Sequence, residues 1–143
     1  MASLEKAIAI AVEAHAGVVD KGGQPYVLHP LRVMFSVESE HERIAAVLHD
    51  VVEDTAWTLE QLAGEGFADE VVAAIDALTK RDGEQRLDSA KRARRDPIAR
   101  QVKIADVTDN MDISRIPEPT ARDHERLQEY AAVIAYLRDG GPA

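Results

Sequence analysis

The run His49-Asp50-Val51-Val52-Glu53-Asp54 sets four ionisable side chains directly after an apolar lead-in, Ile44-Ala45-Ala46-Val47-Leu48. In one helix, His49 and Glu53 are four residues apart, and Asp50 lies three from Glu53 and four from Asp54. All four then share one side. Three carboxylates so close repel one another unless a cation neutralises them, and an imidazole next to a carboxylate suits Mn, Fe or Zn better than Ca or Mg. The same pattern also describes a capped helix end with a solvated acidic face, and both readings stand at this point. Two further residues bear on the choice. His29, in Pro25-Tyr26-Val27-Leu28-His29-Pro30, follows a glycine-rich loop and opens a predicted helix. Asp106, in Val102-Lys103-Ile104-Ala105-Asp106, falls inside an apolar helical stripe, where a carboxylate should be paired or metal-bound. His29, His49, Asp50 and Asp106 together make a two-His, two-Asp set. Drawn from three helices, it leaves coordination positions open for water and substrate, the form of a catalytic rather than a purely structural site.

The elements that must position these residues are helices. Apolar residues recur at three- and four-residue intervals: Leu4, Ala7, Ile8, Ala11, Val12 and His15; Val71, Val72, Ile75 and Leu78; Leu127, Ala131, Ile134 and Leu137. The spacing predicts helices over 3–17, 30–39, 41–53, 58–64, 69–79, 84–95, 98–113 and 122–138. Asp20 to Pro25 reads as a loop, Pro30 as the first residue of a helix, and Thr58 with Gln61 as a capping box. Ile116-Pro117-Glu118-Pro119 breaks the chain before the last helix, and the tail Gly140 to Ala143 is expected to fray. His15 is expected to be a packed core histidine and Trp57 a core or interface anchor; His41 and His124 are expected to be exposed and to have no role. The expected architecture is all-α: one helical-bundle domain over residues 1–143, with its core at about 4–138.

At 143 residues, the chain has the size of one domain, and 45% hydrophobic with 30% charged residues is ordinary for a soluble globular domain. It contains no cysteine, which excludes disulfides, thiolate nucleophiles and Cys-bound zinc. No apolar run approaches the roughly 18 residues of a membrane span, and the first residues lack a secretory pattern, so the expected location is cytoplasmic. A net charge of −9 disfavours general nucleic-acid binding. Residues 80–103 go against that balance, with nine Lys/Arg against four Asp/Glu. They read either as a solvated mixed-charge helix or as a local site for an anion.

His…His-Asp…Asp is the signature of the HD superfamily of metal-dependent phosphohydrolases. Ala14-His15-Ala16-Gly17, Lys21-Gly22-Gly23-Gln24-Pro25-Tyr26-Val27-Leu28-His29-Pro30, His49 to Thr55, Leu78-Thr79-Lys80 and Val102 to Asp106 resemble, in this order, the hydrolase domain of RelA/SpoT-type alarmone enzymes. Over about residues 4 to 138, the chain looks like a free-standing small alarmone hydrolase without synthetase or regulatory regions. The resemblance implies that His29, His49, Asp50 and Asp106 hold one Mn²⁺ or another divalent transition metal. It implies that Glu53 and Asp54 are the catalytic acidic pair, orienting or deprotonating the attacking water. The implied reaction removes the 3′-pyrophosphate of (p)ppGpp, a small-molecule nucleotide; no nucleic acid or membrane partner is implied. Lys21 matches a nucleotide-contacting lysine, and Asn110 an asparagine that contacts the ribose. Lys80, Arg81 and Lys103, with Arg86 and Lys91, are candidates to meet the pyrophosphate.

Two departures stand out. Asp20 occupies the place of a loop arginine that packs on guanine in the family, and an acidic side chain cannot make that cation–π contact. After Asp106 the family reads Arg-Leu-His-Asn, whereas this chain reads Val107-Thr108-Asp109-Asn110. A related alarmone such as (p)ppApp, another 3′-phosphorylated nucleotide or another small phosphoester are therefore alternative substrates. A non-catalytic nucleotide-binding module is a further alternative, disfavoured by the Glu53-Asp54 pair.

Overall fold

The structure is a computed structural model that describes residues 1–139; the tail from Gly140 to Ala143 lies outside the described residues. The described residues form α1 (Leu4–Ala14), α2 (Leu28–Phe35), α3 (Glu40–Leu48), α4 (Val51–Asp54), α5 (Leu59–Gly64), α6 (Asp69–Leu78), α7 (Arg86–Arg94), α8 (Pro97–Asn110) and α9 (Ala121–Asp139), with one 3₁₀ turn at Ile113–Arg115. No strand occurs among them, only an isolated bridge between Val19 and Pro25. The all-α expectation is met.

Local chemistry sets the helix starts. Thr58 and Gln61 close the expected capping box of α5. Ser39 and Glu42 close another at the start of α3, a Ser-x-x-Glu signal legible in the sequence but not used above. It explains why the predicted helix 30–39 stops at Phe35 and a new one begins at Glu40. Pro30 is the third residue of α2 rather than the first, still within the turn whose N–H groups have no helical partner. Asp96 caps α8 through the amides of Ile98 and Ala99, with Pro97 as its first residue.

The five residues Ile44 to Leu48 are all buried, so the C-terminal half of α3 is apolar on every side. Such a helix must be enclosed, and α1, α2, α6 and α8 pack around it. Ala7, Ala11, Val33, Leu62, Val71, Ile75 and Val102 complete this main core. A second, smaller core of Ala90, Val107, Val133 and Leu137 joins α9 to α7 and α8. On α9 the buried apolar positions are Val133 and Leu137, whereas Ala131 of the predicted stripe is exposed. This helix packs mainly against α7 and α8. Trp57 packs, partly buried, on the main core.

Candidate metal centre

The predicted continuous helix over 41–53 is broken at His49-Asp50. The α3 segment ends at Leu48, His49 caps it, and Asp50 begins α4 with φ −96° and ψ −7°. The break divides the four polar residues. His49 and Asp50 turn toward the interior at the end of the central helix, whereas Glu53 and Asp54 stay exposed at its rim. From α2 comes His29, and from the middle of α8 comes Asp106; both are buried.

The four side chains converge. His49 Nε2 lies 3.1 Å from Asp50 Oδ2 and 3.3 Å from Asp106 Oδ1. His29 Nε2 lies 2.8 Å from Asp106 Oδ1 and 3.9 Å from Asp50 Oδ2. The ligand atoms of His29, His49 and Asp50 fall within 4.8 Å of one another, and Asp50, Glu53 and Asp54 form a second such group. The other nitrogen of each ring is occupied: His49 Nδ1 is 2.5 Å from the carbonyl oxygen of Ala46, and His29 Nδ1 is 2.7 Å from Asp109 Oδ2. A carbonyl only accepts, so Nδ1 of His49 carries the proton. Its Nε2 is buried between two carboxylate oxygens and makes no hydrogen bond with either. A buried, orphaned imidazole nitrogen flanked by two carboxylates fits a divalent ion.

Electrostatics point the same way. Burial alone would lower the pKa of His49, but the charges of Asp50 and Asp106 raise it well above the ordinary value. Burial would raise that of Asp106, yet His49 and His29 hold it well below the carboxylate range. The carboxylates thus demand positive charge, which protonated imidazoles or a divalent cation can provide. Asp54 is pushed up to about 6, by burial first and then by the charges of Asp50 and Glu53. Glu53 is braced from outside, its Oε1 accepting from the Lys80 amide at 2.8 Å.

A cavity of about 380 Å³ opens beside His29, with Lys21, Tyr26, Asn110, Arg115 and Arg126 among its lining residues. A groove of about 990 Å³ on the far side of Asp109 is larger, but none of the four converging residues lines it. The cations of the smaller cavity are already engaged. Lys21 Nζ pairs with Asp123 Oδ1 at 2.9 Å, Arg32 Nε with Asp109 at 2.8 Å, and Arg115 with Asp112 at 2.9 Å. Asn110 Nδ2 lies 3.4 Å from Asp106 Oδ1.

The remaining predicted contacts separate. Lys103 Nζ is 3.7 Å from Asp106 Oδ2 and sits at the cluster. Lys80 reaches the site through its backbone, and its side chain is exposed. Arg81 is turned onto the carbonyls of Asp76 and Thr79 and onto the Asp76 carboxylate, so its guanidinium closes the end of α6 rather than facing the cluster. Arg86 lies over the Tyr130 ring, 4.7 Å from its centre. Asp20 lines the cavity, but its Oδ1 accepts from the amides of Gly22 at 2.8 Å and Gln24 at 3.0 Å. That oxygen braces its own loop.

Sequence reasoning left Tyr26, Arg32 and Asp109 without roles. The Tyr26 hydroxyl donates to Asp50 Oδ2 at 2.5 Å, and its ring stacks edge-on against buried His15 at 5.1 Å. Arg32 and Asp109 each stand three residues beyond a converging residue, His29 and Asp106. That same-face spacing was the available signal.

A family model described as HD domain matches residues 7–137. A probable GTP pyrophosphokinase of Mycobacterium leprae is 35% identical over 93% of this chain and 19% of its own length. A guanosine-3′,5′-bis(diphosphate) 3′-pyrophosphohydrolase of Haemophilus influenzae is 42% identical over 51% of this chain and 11% of its own length. The bifunctional (p)ppGpp synthase/hydrolase SpoT of Escherichia coli K12 is 39% identical over 55% of this chain and 12% of its own length. The chain therefore spans a fifth or less of these relatives. A solved structure of a metazoan ortholog of SpoT, described as hydrolysing ppGpp, superposes with a TM-score of 0.78 at 22% identity, covering 96% of this chain and 86% of that one.

Proposed function

Because the chain belongs to the HD domain family, we propose that it is a metal-dependent phosphohydrolase that removes pyrophosphate from the 3′ position of an alarmone-like nucleotide such as (p)ppGpp. One observation carries the reading: the orphaned Nε2 of His49, buried between Asp50 and Asp106 in a cluster whose His29 lines a cavity of about 380 Å³. The names of the relatives support the substrate class.

His29, His49, Asp50 and Asp106 would hold the ion, and two nitrogen with two oxygen donors suit a divalent transition metal such as Mn²⁺, Fe²⁺ or Zn²⁺. A divalent ion there supplies Lewis acidity, polarising a phosphoryl oxygen and acidifying water. The chain's own residues do the rest. Glu53, held by the Lys80 amide, is placed at the rim to accept the proton of the attacking water. Asp54, beside Glu53 and pushed up by burial and the charges of Asp50 and Glu53 in the metal-free protein, is the candidate to donate to the leaving group. Lys103, beside Asp106, is available to a phosphate oxygen. Lys21 and Asn110 line the cavity for the nucleoside end.

A second reading keeps the chemistry and changes the base or the phosphoester. It is favoured by Asp20, which stands where the family has the guanine-packing arginine. The deciding experiment is a hydrolysis screen with Mn²⁺ over ppGpp, pppGpp, ppApp and nucleoside monophosphates, with release of pyrophosphate measured. The expected result is turnover of the 3′-pyrophosphorylated nucleotides. Turnover confined to monophosphates would replace the first reading with the second, and no turnover of any would remove both.

A further inference from the structure

Asp109 is one of the positions at which the chain departs from the family pattern, and it lies outside the four converging residues. Its carboxylate is nevertheless tied to one of them. Oδ2 lies 2.7 Å from His29 Nδ1, on the side of the ring opposite the cluster, while His29 Nε2 faces Asp106 at 2.8 Å. Oδ1 accepts from Arg32 Nε at 2.8 Å, and Arg32 Nη2 reaches Oδ2 at 3.1 Å. Arg115 adds a longer contact to Oδ2 at 3.4 Å. The Asp109 side chain is only 13% exposed. His29 and Arg32 belong to one turn of α2, and Asp106 and Asp109 to one turn of α8. The two helices therefore meet through a crossed pair of contacts: one to the inner nitrogen of His29, the other to its outer nitrogen.

We propose that Asp109, clamped by Arg32, is a positioning residue. It holds the proton of His29 on Nδ1, fixes the plane of the ring and so presents Nε2 as an electron-pair donor to a divalent ion. A carboxylate behind a ligating imidazole also raises the basicity of the nitrogen in front. The two histidines of the site are thereby locked by different means. His49 relies on the carbonyl of its own helix. His29, at the second position of α2, instead takes its Nδ1 partner from another element, Asp109 of α8. Arg32 has a second function: its fork engages both carboxylate oxygens and keeps Asp109 from rotating into the cluster as a fifth ligand.

The inference rests on the metal-centre reading, and its test separates the two. Mn²⁺ affinity is measured by titration for the wild type and for Asp109→Ala, Asp109→Asn and Arg32→Met. The Zn²⁺-loaded proteins are compared by NMR for the hydrogen-bonded Nδ1 proton of His29. Asp109→Ala should weaken Mn²⁺ binding by about 10- to 100-fold, the usual effect of removing such a partner, and should lose the His29 proton signal. Asp109→Asn keeps size and an acceptor oxygen and should recover part of both, which also covers the case in which the alanine variant does not fold. Arg32→Met breaks the ion pair between α2 and α8 but leaves the bond to His29. It should lower the melting temperature, keep the proton signal and cost less affinity than Asp109→Ala. If Asp109 only ties the helices together, Arg32→Met and Asp109→Ala will lower melting alike and neither will move Mn²⁺ affinity beyond about twofold, which overturns the proposal. If the wild type takes up no divalent ion, the metal centre itself fails and the positioning role with it.

Discussion

At the scale of single residues, the site divides into side chains that would hold an ion and side chains that would move protons. Asp50→Ala removes one of two carboxylate oxygens around His49 Nε2. Bound metal and activity should fall together, checked by metal analysis and by pyrophosphate release; normal metal content would refute the ligand assignment. Glu53→Gln keeps size and removes the proton acceptor. It should retain metal and substrate binding while turnover drops by roughly two to four orders of magnitude, so near-normal turnover would leave Glu53 without a catalytic role. The loop-bracing role of the Asp20 carboxylate is tested by its own variants. Asp20→Asn, which keeps an acceptor for the Gly22 and Gln24 amides, should melt close to the wild type. Asp20→Arg loses both bonds and should cost about 1–2 kcal/mol, read by denaturant unfolding. Any gain in guanine selectivity from Asp20→Arg would have to appear on top of that loss, at fixed salt.

At the scale of elements, the basic segment turns out to be largely architectural. Arg92 donates to the Ala77 carbonyl at 2.9 Å and to the Thr79 carbonyl at 2.9 Å, and pairs with Glu84. It closes the C-terminal end of α6, where a cation is favoured, and ties that end to α7. The Arg92 guanidinium holds the Glu84 carboxyl down at about 2 against an ordinary 4.5. A depressed carboxylate stabilises the fold above its unfolded pKa, and that contribution is lost as pH falls through the folded one. Glu84→Gln should therefore melt below the wild type at neutral pH, and the gap should narrow below pH 4.5 and close near pH 2. A gap independent of pH would deny the ion pair its role. The loop that follows α1 is just as constrained. A Cβ on Gly22 would lie 2.3 Å from the backbone oxygen of Arg115, so the loop docks against the 3₁₀ turn at one wall of the cavity only because no side chain is present there.

At the scale of the whole molecule, three otherwise separate pieces of chain meet at the cluster: α2, the α3–α4 break and α8. An ion bound there would join them. The holo protein should melt above the chelator-treated protein, and an ion at 100 times its dissociation constant adds about 2.7 kcal/mol. In the metal-free state the raised pKa values of His29 and His49 mean that an incoming ion must displace protons. Mn²⁺ affinity should therefore keep rising with pH beyond the ordinary histidine value of 6.5. An affinity flat from pH 6 to 8 would contradict that coupling, and calorimetry in buffers of different ionisation enthalpy would count the protons. No helix of the described residues is long and apolar enough to cross a membrane.

The amino-acid sequence by itself determined the helices, the enclosed apolar run from Ile44 to Leu48 and the identity of the four converging residues. Each of these follows from periodicity, or from polar groups standing where apolar ones belong, and such signals are local. It did not determine the break at His49-Asp50, because backbone at both residues stays near helical angles and only the packing of α2 and α8 against α3 decides which way the side chains turn. Nor did it determine the roles of Asp109 and Asp20. Both are acidic residues near a nucleotide motif. One is held by His29 and Arg32, 80 and 77 positions away, and the other by amides two and four positions away. The direction of a carboxylate depends on which donors the fold brings within 3 Å of it, and that is a property of the tertiary structure.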